Sequence, residues 1–421
     1  MNKADKERIS KYLVKHKAKS YHIATPVPIG CNICIVIPCH NEPDLIATLE
    51  SLCQCQTLNY PIEVIIVVNQ AQEDEGTNVS VQNAKTVEQF NRWTGTHSFD
   101  HLNFHLIEAM DLPKKEAGVG LARKIGMDEA LRRFSSIDSN GTIVCLDADC
   151  TVSNGYLSAI NQEFVNTDAG IGEVYYEHQF ELEDETKLRQ GIINYELFLR
   201  YYVEGLKKAG FSNAIQTVGS CMLVKALVYA KHGGMNKRKA GEDFYFLHKI
   251  VPHEKFITVK GGTVFPSCRT SDRVPFGTGK AQQDWLDSNS DTYFTYDPVV
   301  FQLLKEVNDT IRSLFENGVE LWLDQLSNNT KQFFVAHHYQ DKITLILSNC
   351  KSIGQFFNQF YIWFDGFLCM KFVHYMRDQH YPNIEIGEAV RKLSYWEGSL
   401  IEMLYTYREK DKRSEPGSSG I

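Results

Sequence analysis

The chain has 421 residues, 43% hydrophobic and 23% charged, with a formal net charge of −8 at pH 7. These are the values of an ordinary globular protein, with room for one large domain plus an appendage or for two domains. No strongly basic block occurs, so the charge balance speaks against nucleic acid as a partner, and a phosphorylated ligand would need local cations or a metal ion.

Residues 1–28 read as a short helix followed by a connector containing Pro26 and Pro28. Met1 to Ser20 is rich in lysine and does not read as a secretion signal. Cys31 and Cys34 open an apolar run, Ile33 to Ile37, that suits a buried parallel strand and ends at Pro38. A zinc site there would need a second ligand pair, which the neighbourhood lacks. The eleven cysteines are an odd number at irregular spacing, which fits a reducing, cytoplasmic compartment.

Leu45, Leu49, Leu52 and Cys53 follow at helical spacing. Ile62 to Val68 predicts a second strand and Asn103 to Ile107 a weaker third. Met127, Ala130, Leu131 and Phe134 mark a helix, and Thr142 to Leu146 predicts a fourth strand. Strands alternating with helices imply an α/β protein with a doubly wound, mostly parallel sheet flanked by helices. Such sheets bind ligands beyond the carboxyl ends of their strands. Attention therefore falls on Pro38-Cys39-His40-Asn41-Glu42, on Asn69-Gln70 and on Asp147-Ala148-Asp149.

The chain changes character near residue 280, where helix-like, aromatic-rich stretches begin (Pro298 to Leu326 and Ile353 to Tyr407). No run reaches the about 18–20 apolar residues of a spanning helix. Phe356 to Met376 comes nearest but holds Asn358, Gln359, Asp365, Lys371 and His374, so it reads as one packed aromatic helix. A peripheral membrane contact is the less favoured alternative. The expected division is 1–28 helix and connector, 29–280 catalytic domain, 281–408 helical region and 409–421 disordered tail.

Asp147 and Asp149 carry the strongest chemical signal. Two carboxylates one residue apart at a strand end repel each other and resist burial, and a divalent cation relieves both problems. Oxygen ligands favour Mn2+ or Mg2+. Asp149 is the candidate direct ligand, and Asp147 the candidate partner of a ribose or a metal-bound water. Glu242 and Asp243 open a helix whose Phe244, Leu247 and Ile250 share one face. The plain reading is a pair of acids answering the helix dipole. The chemical reading is Asp243 as a general base and Glu242 as an acceptor-side support. Gly118 and Gly120 lead into a helix bearing Arg123, an arrangement open both to phosphate binding and to a simple turn.

Taken together, four segments resemble the family 2 glycosyltransferases of the GT-A fold, of the bacterial, soluble, non-processive type. They are "CIVIPCHNEPDLIATLESL", "KKEAGVGLARKIGMDEAL", "IVCLDADCTVSNGYL" and "VGSCMLVKALVYAKHGGMNKRKAGEDFYFLHKI". Their order and spacing agree with the family over about residues 31–275. The resemblance implies an inverting transfer of a sugar from a nucleotide-diphosphate sugar to a hydroxyl-bearing acceptor that the sequence does not name. It implies Pro38, His40 and Glu42 around the base and ribose, Gly118 and Arg123 on the donor side, Asp149 on the metal and Asp243 as base. Many members end the second strand in an aspartate; Asn69 stands here. The processive QxxRW motif is absent, and "SCRTSDRVPFGTGKA" occupies its place, with Arg269 and Arg273 as candidates to neutralise a departing diphosphate or to form structural ion pairs. The "PFGTG" turn is a candidate closing loop. The expected location is cytoplasmic, with the inner face of the membrane left open. A sugar-nucleotide nucleotidyltransferase is the rival enzyme, but no glycine-rich basic loop follows the first strand. A non-catalytic nucleotide-sugar-binding scaffold is the rival from another class; the intact Asp147, Asp149 and Asp243 argue against it.

Overall fold

The computed structural model describes residues 1–16, 21–271, 273, 276–288 and 290–413. Contacts divide the chain into two units, one of residues 1–183 and 217–280, the other of 184–216 and 281–421.

The first unit opens with α1 (Lys3–Lys15), followed by β1 (Ile33–Cys39), α2 (Leu45–Cys53), β2 (Ile62–Ala71), α3 (Asn78–Thr96) and β3 (Leu102–Leu112). Next come α4 (Val119–Ser136), β4 (Thr142–Cys145), β5 (Thr151–Val152), α5 (Tyr156–Ile160) and β6 (Ile171–Tyr176). The chain then forms α6 (Thr186–Lys208) in the second unit and returns with β7 (Met222–Lys225), α7 (Ala226–Lys231), α8 (Glu242–Ile250) and β8 (Phe256–Phe265). The eight strands make one sheet in the order β3-β2-β1-β4-β7-β6-β8-β5. β3, β2, β1 and β4 run parallel, β7 is antiparallel to both β4 and β6, and β6 and β8 are parallel.

Every residue of β1 and β2 is buried, as expected of β-branched runs covered on both faces. In the register, Cys39 lies beside Val68 and Val36 beside Cys145. The residues after β1, β2 and β4 therefore emerge at one end of the sheet. β1 and β2 run slightly further than the sequence predicted, so Pro38 and Asn69 lie inside strands. Helix α4 packs closely on this layer because Gly126 lacks a side chain: a Cβ there would overlap Val36 Cγ1. Helix α1 docks through Tyr12, whose hydroxyl donates to Asp128 Oδ1 at 2.7 Å.

Among the described residues the second unit contains α6 and the C-terminal part of α9 (Thr278–Asp287), a short β9–β10 ladder (Phe294–Thr295, Ile384–Glu385) and eight further helices. These are α10 (Val299–Asn317), α11 (Val319–Leu323), α12 (Asn328–Ala336), α13 (Tyr339–Asn349), α14 (Ile353–Trp363), α15 (Gly366–Gln379), α16 (Ile386–Ser394) and α17 (Leu400–Arg413). Three expectations need correction. Phe356 to Met376 forms two helices, because the Asp365 side chain accepts the Leu368 N–H at 2.9 Å and starts a new one. Residues 409–413, expected to be disordered, continue α17, held by Lys410 on Glu204 and by Asp411 on Arg200. Residues 414–421 lie outside the described residues. The stretch 184–216, expected within the 29–280 domain, packs in the second unit. Among the described residues no helix is long and apolar enough to cross a membrane.

Candidate functional site

The ends of β1, β2 and β4, the start of β7 and the start of α8 bring most of the expected residues into two adjoining arginine–carboxylate clusters. β4 stops at Cys145 while the Leu146 N–H still reaches Val36 O at 3.1 Å, so Asp147 and Asp149 fall on the turn beyond the sheet. Their side chains are 36% and 26% exposed.

In the first cluster Arg123, 1% exposed, donates to Asp147 Oδ1 at 2.5 Å and pairs closely with Glu242 Oε1. Glu242 is itself only 3% exposed, so its carboxylate faces the guanidinium rather than an open cleft. Asp243 lies beside the same arginine: a Cβ on Gly219 would sit 2.9 Å from Asp243 Oδ2 and 3.0 Å from an Arg123 terminal nitrogen. Glycine at 219 thus leaves room for the carboxylate and the guanidinium together. Burial pushes the Asp243 carboxyl above the ordinary carboxylate range, and the nearby Arg123 charge only partly offsets this.

The second cluster joins the start of the β1–α2 loop to the segment after β8. Glu42, 1% exposed, takes a close ion pair from Arg269 and one at 3.0 Å from Arg273, while its Oε1 accepts the Asp44 N–H at 2.9 Å. Arg273 also donates to His40 O at 3.0 Å, and Arg269 to Asp44 Oδ2 at 3.1 Å. Both guanidinium groups reach Asp149 Oδ2, at 3.2 and 3.4 Å. Asp149 is also raised above its ordinary range, first by burial and then by the Asp147 and Glu42 charges. The two clusters therefore meet through Asp147 and Asp149.

Other expected residues take simpler places. His40 Nδ1 lies 2.8 Å from Asn69 O. The Asn69 side chain is 1% exposed, and both of its amide atoms are buried without a partner among the described residues. Gly118 meets its own chain: a Cβ there would lie 3.2 Å from Lys239 Cα, and one on Gly120 would overlap Arg238 O. These glycines admit the 236–240 segment against the start of α4. Of the "PFGTG" turn, Pro275 lies outside the described residues; Gly279 O accepts the Ser271 N–H at 3.0 Å. Sequence reasoning missed Asp44, and also Asn83 of α3, whose amide bonds Asn69 O, Gln70 and the Asn41 N–H. No local motif announces either residue.

Among the described residues no group of three or more His, Cys, Asp or Glu converges on a common point. Asp147 and Asp149 nonetheless suit a cation of the Mg2+ or Mn2+ type, which takes one or two protein carboxylates and completes its shell with phosphate oxygens and water. One oxygen of each is engaged by arginine, whereas Asp149 Oδ1 receives the Cys150 thiol at 3.9 Å.

The family model described as Glycosyl transferase family 2 matches residues 34–232. That span takes in Arg123, Asp147 and Asp149, while Asp243, Arg269 and Arg273 lie beyond it. No curated protein matches the chain. Solved structures similar to it include S. aureus TarS 1–349 in complex with UDP-GlcNAc, 11% identical over 91% of this chain and 92% of that one, with a TM-score of 0.38. Another is the mannosyltransferase PcManGT from Pyrobaculum calidifontis with GDP-Man and Mn2+, 14% identical over 96% of this chain and 86% of that one, with a TM-score of 0.35.

Proposed function

We propose that this glycosyltransferase, matched by the family 2 model over residues 34–232, moves a sugar, with inversion, from a nucleotide-diphosphate sugar to a hydroxyl acceptor. One observation carries the finer reading: Arg123 bonds Asp147, two residues from Asp149, and lies against Asp243 at the same sheet end. Asp147, two residues from the candidate cation ligand, and the candidate base thus adjoin a single buried guanidinium.

In this reading the base and ribose of the donor lie over the ends of β1 and β2, near Pro38, His40 and Asn69. Asp149 would hold the divalent cation, with Asp147 beside Asp149 on the same turn. When bound, that ion supplies charge neutralisation for the leaving diphosphate. Arg269 and Arg273 supply further positive charge on the same side. Asp243 accepts the proton of the acceptor hydroxyl as its oxygen attacks the anomeric carbon. Burial raises the Asp243 pKa, which makes it a stronger base than an exposed carboxylate once ionised. Glu242 acts by holding Arg123, which in turn fixes Asp147.

The test is nucleoside diphosphate release from a panel of nucleotide sugars with Mn2+ and mixed hydroxyl acceptors. Release that disappears in Asp149→Ala, with the fold intact by circular dichroism, supports the reading. Donor binding without release across the panel leaves a scaffold instead.

A further inference from the structure

Arg269 and Arg273 make two unequal sets of contacts. Their hold on Glu42 is buried and reinforced by the Asp44 N–H on Glu42 and by His40 O on Arg273. Their reach to Asp149 Oδ2, at 3.2 and 3.4 Å, is long and ends on a carboxylate that is 26% exposed. Breaking the Glu42 contacts would strand a buried charge, whereas a long, part-exposed ion pair is easily given up. Glu42 is thus the fixed anchor and Asp149 the exchangeable partner.

We infer that Arg269 and Arg273, anchored by Glu42, are stand-in cations for Asp149 that compete with a divalent ion until a diphosphate draws them away. The inference rests on the reading of Asp149 as the metal ligand. A bare cation approaching Asp149 meets two guanidinium groups of like charge. A diphosphate offers both arginines a stronger acceptor, since guanidinium bonds phosphate oxygens in pairs. Moving from Asp149 to phosphate, the arginines need not leave Glu42. Cation and diphosphate then favour each other's binding, and the coupling is reciprocal. The device keeps the carboxylates neutralised between turnovers and discourages uptake of a cation without donor.

Manganese binding, read by electron paramagnetic resonance or calorimetry, tests this without turnover. In the intact protein Mn2+ alone should bind weakly and tighten by about tenfold or more when UDP or GDP is added. Arg273→Gln leaves Arg269 on Glu42 to protect the fold, and should tighten the binding of Mn2+ alone by about threefold. The double Arg269→Gln/Arg273→Gln variant should tighten it by about tenfold and lose most of the gain from the nucleoside diphosphate. Replacing both by lysine keeps the charge and should leave Mn2+ alone weakly bound. Unchanged or weaker affinity for Mn2+ alone in folded Arg273→Gln overturns the inference. If Asp149→Ala still binds Mn2+ with the diphosphate, the metal assignment itself falls, and the stand-in role with it.

Discussion

Two arginine–carboxylate clusters in this molecule use the same residue types to different ends. In the second unit Glu196, fully buried, takes Arg200 at 2.8 Å and Arg408 at 2.7 Å, clamping α17 to α6. Both arginines are nearly inaccessible there, 1% and 6% exposed in their side chains. At the sheet end, Glu42 is equally buried, but Arg269 and Arg273 remain 29% and 24% exposed and share themselves with a part-exposed Asp149. The Glu196 cluster is a closed helix-to-helix clasp; the Glu42 cluster keeps a side open to solvent. The same residue types thus form a closed ion cluster in one place and a partly open one in the other; what differs is the exposure of the outer carboxylate and the looseness of its contacts.

Asp243→Asn should lower turnover by about 10²–10⁴-fold, the usual scale for a lost general base. It should not lower stability at neutral pH: burial raises the carboxyl's pKa, so the ionised form opposes folding there and the amide relieves that opposition. Steady-state kinetics beside a urea melt decide the matter, and unchanged turnover discards Asp243 as base. Glu196→Gln should show the opposite profile. It removes the buried carboxylate charge that Arg200 and Arg408 share and should cost about 3–5 kcal/mol in a urea melt, with turnover per folded molecule unchanged. A large loss of turnover at constant stability would make that clasp more than structural.

The pH profile sharpens the contrast. An acceptor base must be ionised, so kcat/KM should fall as pH drops through the Asp243 pKa. Because burial raises that pKa, the acid limb should lie above the ~3.9 of an ordinary aspartate. A limb at or below the ordinary value would assign the base elsewhere. At the small end, Lys305 and Asp309 form an exposed pair at 2.7 Å on α10. Lys305→Ala should change stability by only about 0.3–0.5 kcal/mol in a thermal or urea melt.

Much of the first unit was legible along the chain. Ile33 to Ile37 and Ile62 to Val68 announced strands through unbroken β-branched runs, and Met127, Ala130, Leu131 and Phe134 announced α4 through their spacing. Less was legible where one side chain outweighs composition. Asp365 splits an aromatic stretch that reads as continuous, because a cap satisfies N–H groups that periodicity ignores. The C-terminal residues to Arg413 read as a charged tail, yet those charges meet Glu204 and Arg200 and extend α17.

By itself the sequence determined the strand–helix alternation, the carboxylate pair Asp147 and Asp149 at a strand end, and the acidic start of α8 at Glu242 and Asp243, since each depends on residues close in the chain. Only the tertiary structure decided which charges meet. Arg273 and Glu42 are 231 positions apart, and Arg123 and Glu242 are 119 apart. Pairing over such separations follows from strand order, in which antiparallel β7 lies against β4, and from the close approach that Gly126 and Gly219 permit. Local pattern places a charged side chain on an element; packing chooses its partner, and here that choice ties Glu242 to Arg123 and both loop arginines to Glu42.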